Sequence, residues 1–249
     1  MIESRSEHPW RSEGGFPALT GIAVPAMRQQ VAGAPRRDED DDDDSPRGIP
    51  VPLVVDKRGK SEELVDLYSR LLRDRVIFLG GPVGRHMAQV VTAQILFLSH
   101  DDPQAEISIY INSPGGSISD GLAIIDAMRS VPCPVATYIV GVAASMASVI
   151  ACCGTKGRRF ALPHAEHMMH QGRIGGFEGQ ATDLEIFMRQ MVRIEDVCNR
   201  LYSEATGQTI EKIAADCDRD LWLTAEEMLA YGLIDKIIDR MPATAPAAS

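Results

Sequence analysis

GVAASMA, at residues 141–147, sets one hydroxyl, Ser145, among small apolar residues. One apolar run ends there and another begins. The hydroxyl is thus expected where a strand passes into a helix, surrounded by the free backbone N–H groups of the helix start. Such donors can hold an oxyanion, which makes Ser145 a candidate nucleophile; a helix cap or a small packing residue is the plainer role. INSPGG, at 111–116, closes a second apolar run. Its two glycines bend the chain sharply and let a ligand backbone approach or expose an N–H, although a simple strand-to-helix turn uses the same residues. It is no phosphate loop, because G-x-x-x-x-G-K-[ST] occurs nowhere in the chain. HAEHMMHQ, at 164–171, carries His164, His167 and His170. With Cys152 and Cys153 that spacing invites a zinc reading, but strand alternation sends His167 to the opposite face from the other two. His170 falls at a strand end, where sites gather in open α/β sheets, and is the candidate general base. In CDRDLWL, at 217–223, Asp218 and Asp220 flank Arg219 ahead of an apolar run. One carboxylate is expected to turn inward, where it orients an imidazole and stabilises the imidazolium; a surface Asp–Arg pair is the alternative.

The elements that must position these residues alternate. VIFLG at 76–80 reads as a buried strand, and Met87, Val90, Val91, Ile95 and Leu98 repeat at close to 3.6 residues, which predicts a helix over 86–98. ISIYI at 107–111 reads as strand, 117–131 as helix, PVATYIV at 134–140 as strand, 144–153 as a buried helix and RRFAL at 158–162 as strand. Such alternation predicts parallel βαβ units in an α/β domain. Two T-x-x-E patterns predict capping boxes: Thr182 with Glu185, opening a long helix from Asp183 to about Tyr202, and Thr224 with Glu227, opening a short helix that Gly232 ends.

Composition narrows the function classes. The chain has 249 residues, 45% of them hydrophobic, enough for one good-sized domain with a tail. Its formal charge of −10 owes seven negatives to the run DEDDDDD at 38–44. Outside that run 28 acidic residues remain against 25 basic ones, a balance that gives neither a nucleic-acid footprint nor a membrane-surface patch. Residues 1–48 show no periodicity, and their charge and Gly/Pro content predict a disordered acidic leader or propeptide. Residues 49–241 are the predicted folded domain and 242–249 a flexible tail. Five cysteines, an odd number, make a poor disulfide framework, and no secretory h-region or long apolar run occurs; the chain reads as cytoplasmic.

The blocks VDLYSRLLRDRVIFLGGPV, AQILFL, YINSPGGSISDGLAIIDAM, GVAASMASVIA, MMHQ, EGQATDLEI, DRDLWLTAEE and YGLIDKII occur in an order, over about residues 50–238, that resembles the proteolytic subunit of the ATP-dependent Clp protease, the ClpP family. The resemblance implies an α/β fold of the crotonase-like kind, a spiral of ββα units with a protruding handle helix. It implies Ser145 as nucleophile, His170 as general base and Asp220 as the orienting acid, with the backbone N–H groups of Gly116 and Met146 as oxyanion donors. Arg219 is similar to the family's inter-ring contact. The implied partners are further copies, homo- or hetero-oligomeric, in two stacked heptameric rings; a separate Clp-type ATPase unfoldase, which alone uses ATP; and unfolded polypeptide substrates. No cofactor or metal is expected in this chain, and no nucleic-acid or membrane partner.

Several positions depart from the family pattern. Gly172 follows His-Gln where the family usually has Pro, giving the base-bearing segment a freer exit. GVAASMA stands for the more usual GQAASMG. Ser108 and Ser130 occupy positions where many members carry aromatic residues of the ATPase-docking pocket. The expected activity is that of a serine endopeptidase in an oligomeric chamber. A weakly active or regulatory subunit of a mixed barrel is the alternative that these departures keep open. An acyl-CoA enzyme of crotonase fold would need oxyanion donors but no Ser-His-Asp set.

Overall fold

The computed structural model describes residues 51–58, 61–173 and 180–240. The expected leader (1–48) and tail (242–249) lie outside them, as do the first two residues of the EGQATD motif.

The described chain opens with an antiparallel hairpin, β1 (Leu53–Arg58) and β2 (Ser61–Asp66), followed by α1 (Leu67–Arg73). The central sheet then assembles from β3 (Val76–Gly80), β4 (Ile107–Ser113), β5 (Val135–Ala144), β6 (Arg159–Ala161) and β9 (Lys236–Ile237), all parallel and in that spatial order. Between them run α2 (Arg85–Asp101), α3 (Ile118–Ser130) and α4 (Met146–Cys152). Parallel strands need crossovers of this kind, and the α/β class read from the alternation is the one observed.

Burial follows the periodicities. In β4 the side chains of Ile107, Ile109 and Ile111 are buried on one face, against helices that present Val91, Ile95 and Leu98 from α2 and Ile124, Ile125 and Met128 from α3. The other face carries an aromatic ladder. Phe78, Tyr110, Tyr138 and Phe160 are register partners on successive strands, and their rings stack at 5.5, 4.8 and 4.9 Å. In-register pairing of parallel strands puts like rings side by side, and offset stacking adds to their burial.

The strand that leads to Ser145 is longer than its apolar run suggests. β5 pairs β6 through residues 137–139, bends at Gly141 (φ 105°), and then pairs β7 (Glu166–Met169) through residues 142–144. A Cβ at Gly141 would lie 2.7 Å from the Asn112 side-chain oxygen, which instead accepts the Val142 N–H. Glycine is therefore required for the strand to switch partners. β8 (Leu221–Leu223) adds antiparallel to β7.

Two helices from the C-terminal half, α5 (Ala181–Thr206) and α6 (Ile210–Asp216), precede β8, and α7 (Ala225–Tyr231) follows it. The Thr224–Glu227 capping box forms at α7, and Gly232 ends that helix at φ 92°. The other expected box does not form. α5 begins at Ala181 with Gln180 as N-cap, which puts Thr182 inside the first turn, and Glu185 pairs with Arg189 one turn on. A T-x-x-E pattern caps only where the chain leaves extended geometry at the Thr, and here it does so two residues earlier. α5 has 26 residues, about 39 Å of helix.

Candidate active site

Strand register brings the candidate residues to one edge. Ala144 in β5 pairs with Met168 in β7, and Met169 pairs with Leu221 in β8. Ser145 and His170 follow their strands, and Asp220 lies opposite His170 by the antiparallel register. The Ser145 N–H donates to the Met168 carbonyl at 2.9 Å, extending the ladder to the serine itself.

Ser145 turns the chain from strand to helix at φ 54°, ψ −125°, a conformation that few residues other than glycine adopt. Strain of this kind persists only where the surroundings over-determine it. Here Gly115 lies flat against the turn. A Cβ on it would fall 2.5 Å from the Ala144 carbonyl oxygen, 2.7 Å from Ser145 Cβ and 2.8 Å from the Met146 nitrogen. From the other side, the Ser148 hydroxyl donates to the Ser145 carbonyl at 2.7 Å and contacts the Tyr202 hydroxyl of α5. The serine thus stands on a turn gripped by the glycine bend that follows β4, by α4 and by α5.

His170 Nε2 and Ser145 Oγ are 2.7 Å apart. The imidazole side chain is only 10% exposed. Burial, and after it the Arg173 guanidinium, hold its pKa below the ordinary histidine value, while Asp220 acts in the opposite sense. Its segment is pinned to the chain before β8, because the Gln171 N–H donates to the Cys217 carbonyl at 2.6 Å and the Gln171 side chain to the Asp218 carbonyl at 2.9 Å.

Asp220 departs from expectation. Its side chain is 43% exposed rather than turned inward, and its nearest oxygen is 3.8 Å from His170 Nδ1, beyond hydrogen-bond range. The carboxylate is instead held by Arg173, whose Nη2 lies 2.9 and 3.1 Å from its two oxygens. The physical reason is competition: a solvated guanidinium, with its fork of donors, outbids a neutral ring nitrogen for a half-exposed carboxylate. Arg219, the neighbour expected to compete for such a carboxylate, points away, 91% exposed and 3.8 Å from Asp218. Sequence reading missed Arg173. Its only local signal is a cation three residues beyond the candidate base, and the contact depends on the pairing of β7 with β8.

Ser145, His170, Asp220 and Arg173 open on a cavity of about 490 Å³. Gly116 and Met146 line it, and their N–H groups have no acceptor among the described residues, Met146 being the first residue of its helix. The far wall is apolar, with Met168, Met188, Met191 and Val192. The site therefore combines a hydroxyl on a strained turn, a neutral imidazole within hydrogen-bond reach, unsatisfied amide donors beside both, and an apolar recess.

The three histidines do not converge. His164 is exposed, His167 is fully buried and His170 faces the cavity, and among the described residues no group of three His, Cys, Asp or Glu is arranged to hold a metal. Ser108 lies beside Tyr138 on the aromatic face of β4, and Ser130 ends α3 with its hydroxyl donating to the Ala127 carbonyl. No helix among the described residues is long and apolar enough to cross a membrane.

Compared with known families, residues 59–241 match the sequence model described as Clp protease, a span that includes every site residue above.

Proposed function

The chain belongs to the Clp protease family, and on that premise we propose that it is a serine endopeptidase that hydrolyses unfolded polypeptides to short peptides. The observation that carries this reading is the 2.7 Å contact between Ser145 Oγ and His170 Nε2 beside the free N–H groups of Gly116 and Met146. In the proposed reaction His170 takes the Ser145 proton as Oγ attacks a peptide carbonyl. The oxyanion is received by the two amides, and the same imidazole returns the proton to the leaving amine. Water, deprotonated by His170, then opens the acyl-enzyme. Asp220 is the group to orient the ring and stabilise its charged form. The apolar recess suits an apolar substrate side chain, and no cofactor takes part.

We further assign the chain to a crotonase-like spiral fold and to a chamber of stacked rings, fed by a separate ATP-driven unfoldase. Supporting the assembly are the apolar residues that α5 leaves exposed, Leu184, Ile186 and Val192, and the outward guanidinium of Arg219. Supporting the docking is the aromatic ladder, with Phe78 at its open end 42% exposed. A second reading, a weakly active subunit of a mixed barrel, is favoured by one observation: the Asp220 carboxylate is bound to Arg173 and not to His170.

Labelling with a serine-directed fluorophosphonate tests the assignment. Modification of Ser145 that is lost in Ser145→Ala and in His170→Ala, together with cleavage of fluorogenic peptides, is the expected result. Labelling that persists in Ser145→Ala overturns it.

A further inference from the structure

We propose that Arg173 is a positioning residue for the reaction: by holding the Asp220 carboxylate it withholds that group from His170, and its release completes the triad. The proposal rests on the serine-peptidase reading above.

The backbone leaves little else to adjust. Gln171 fixes the base-bearing segment to Cys217 and Asp218 through two hydrogen bonds, and the β7–β8 ladder fixes His170 opposite Asp220. What separates the carboxylate from Nδ1 is then side-chain rotation. The 3.8 Å gap exceeds a charge-assisted hydrogen bond by about 1 Å, whereas the two Arg173 contacts already have that length.

The restraint is suited to being released. Arg173 is 71% exposed and Asp220 43%, so their attraction is screened and worth little. The residue before Arg173 is Gly172, which has no side chain to restrict the backbone. A Cβ there would make only ordinary contacts, 3.5 Å from Ile118 and 3.6 Å from Met191, so space does not demand the glycine; its freedom serves the neighbour that must move. Gly172 and Arg173 both line the cavity, so a peptide that fills it lies against the guanidinium. A substrate carbonyl or carboxylate that draws Arg173 away leaves Asp220 to the imidazole.

The charges acting on His170 are few. Arg173 on its own segment disfavours the imidazolium and Asp220 favours it. From α5, Glu195 and Cys198 face the same cavity, while β5 and α4 bring no charged side chain. Removing Arg173 deletes the cation that disfavours the imidazolium and frees the Asp220 carboxylate that favours it, two changes of the same sign.

The test uses the full chain with Arg173→Gln and Arg173→Lys, at a surface position where neither should disturb folding. In Ser145→Ala, histidine NMR of the ring assigned by its loss in His170→Asn reads the proton affinity without any need for turnover. Arg173→Gln should raise the pH at which His170 titrates, and Arg173→Lys, which keeps the charge, should leave it close to the parent. In chains that retain Ser145, kcat/KM for a fluorogenic peptide should rise roughly tenfold in Arg173→Gln, at the low end of what an oriented base contributes, with the acid limb moved to higher pH. Asp220→Asn in that background should erase the gain. An unchanged titration, or a fall in kcat/KM with Arg173→Gln, overturns the proposal. Absence of turnover in every variant alongside the expected NMR shift would instead count against the peptidase reading.

Discussion

Gly115 and Ser145 touch across the gap between two strand ends, so closely that a methyl group on Gly115 would overlap the serine's own Cβ. The two residues belong to different motifs, SPGG at the end of β4 and AASM at the end of β5, and the parallel pairing of β4 with β5 brings them together. The positive φ of Ser145 is thus braced from outside its own turn, and the direction of its hydroxyl depends on a residue thirty positions earlier.

Gly115→Ala should therefore cost activity more than fold. Its φ of 87° is unfavourable for alanine, and the new methyl must push the Ala144–Met146 backbone aside. A displacement near 1 Å of a reacting atom is worth about 10²-fold in rate. Peptide turnover should drop by that order, with circular dichroism close to the parent and a somewhat lower Tm. Turnover within twofold of the parent would show that the turn is set by β5 and α4 alone.

His167 gives an acid sensitivity that the reaction does not need. Its ring is fully buried and neither nitrogen has a hydrogen-bond partner among the described residues, while the Ser148 backbone nearby favours the charged form only weakly against burial. Burial pushes its pKa from 6.5 down to about 4. The unfolded chain therefore takes up a proton near 6.5 that the folded chain refuses until about 4. Stability is full above 6.5 and is lost as pH falls between the two values. His167→Leu removes both the titration and the unsatisfied nitrogens. It should raise stability near neutrality by about 1–3 kcal/mol and flatten the loss below pH 6.5. Thermal unfolding at pH 7 and pH 5 measures both effects, and an undiminished difference in Tm between the two would place the acid sensitivity elsewhere.

How far the site could be read in advance depended on whether a contact is local or set by register. Ser145, the two glycines and His170 sit at strand ends, and strand ends are legible from apolar runs closed by Gly or a polar residue. The Thr224 box was legible because both of its members lie within one turn and its helix starts at that Thr, whereas the equally spaced Thr182 pattern misled because α5 starts two residues earlier. The extension of β5 beyond Val140 was not, because Gly141 reads as a strand terminator until its second partner, β7, is known. Likewise nothing in DRD tells which carboxylate faces the base. That follows from the antiparallel match of Met169 with Leu221, and the winning cation, Arg173, lies 47 residues away from Asp220. The hairpin of β1 and β2 escaped for a further reason: its strands, LVVDKR and SEELVD, are too charged to show a buried face.

If the chain forms the proposed chamber of stacked rings, Arg219→Ala should weaken ring-on-ring assembly and, through it, activity. Among the described residues the guanidinium finds only a long contact with its neighbour Asp218, and it adjoins Asp220 in sequence. Loss of an anchoring contact to a second copy would leave the segment before β8, and with it Asp220, less well held. Sedimentation should show smaller particles than the parent, with peptide turnover reduced in proportion. A variant that keeps the parent's size and rate would separate Arg219 from both.

Docking of an unfoldase is where Ser108 should matter. It shares a face of β4 with Tyr110, because side chains two apart point the same way, and so belongs to the surface on which Phe78, Tyr110, Tyr138 and Phe160 stack. Where that face would accept an apolar anchor, a hydroxymethyl group in place of a ring leaves one wall short. Ser130, exposed at the end of α3, offers no replacement. Full burial of a large side chain contributes roughly 1.5–3 kcal/mol, so each missing wall weakens the hold of a docking loop by about tenfold or more. The chain assembled alone should then cleave short peptides yet degrade a tagged folded protein slowly when supplied with an unfoldase and ATP. Adding a paralogous ring that carries aromatic residues at both positions should restore the rate, and Ser108→Tyr in this chain should recover part of it. Rapid degradation of the folded substrate by the unmodified chain alone would show that the aromatic ladder suffices as a dock and that no mixed barrel is needed.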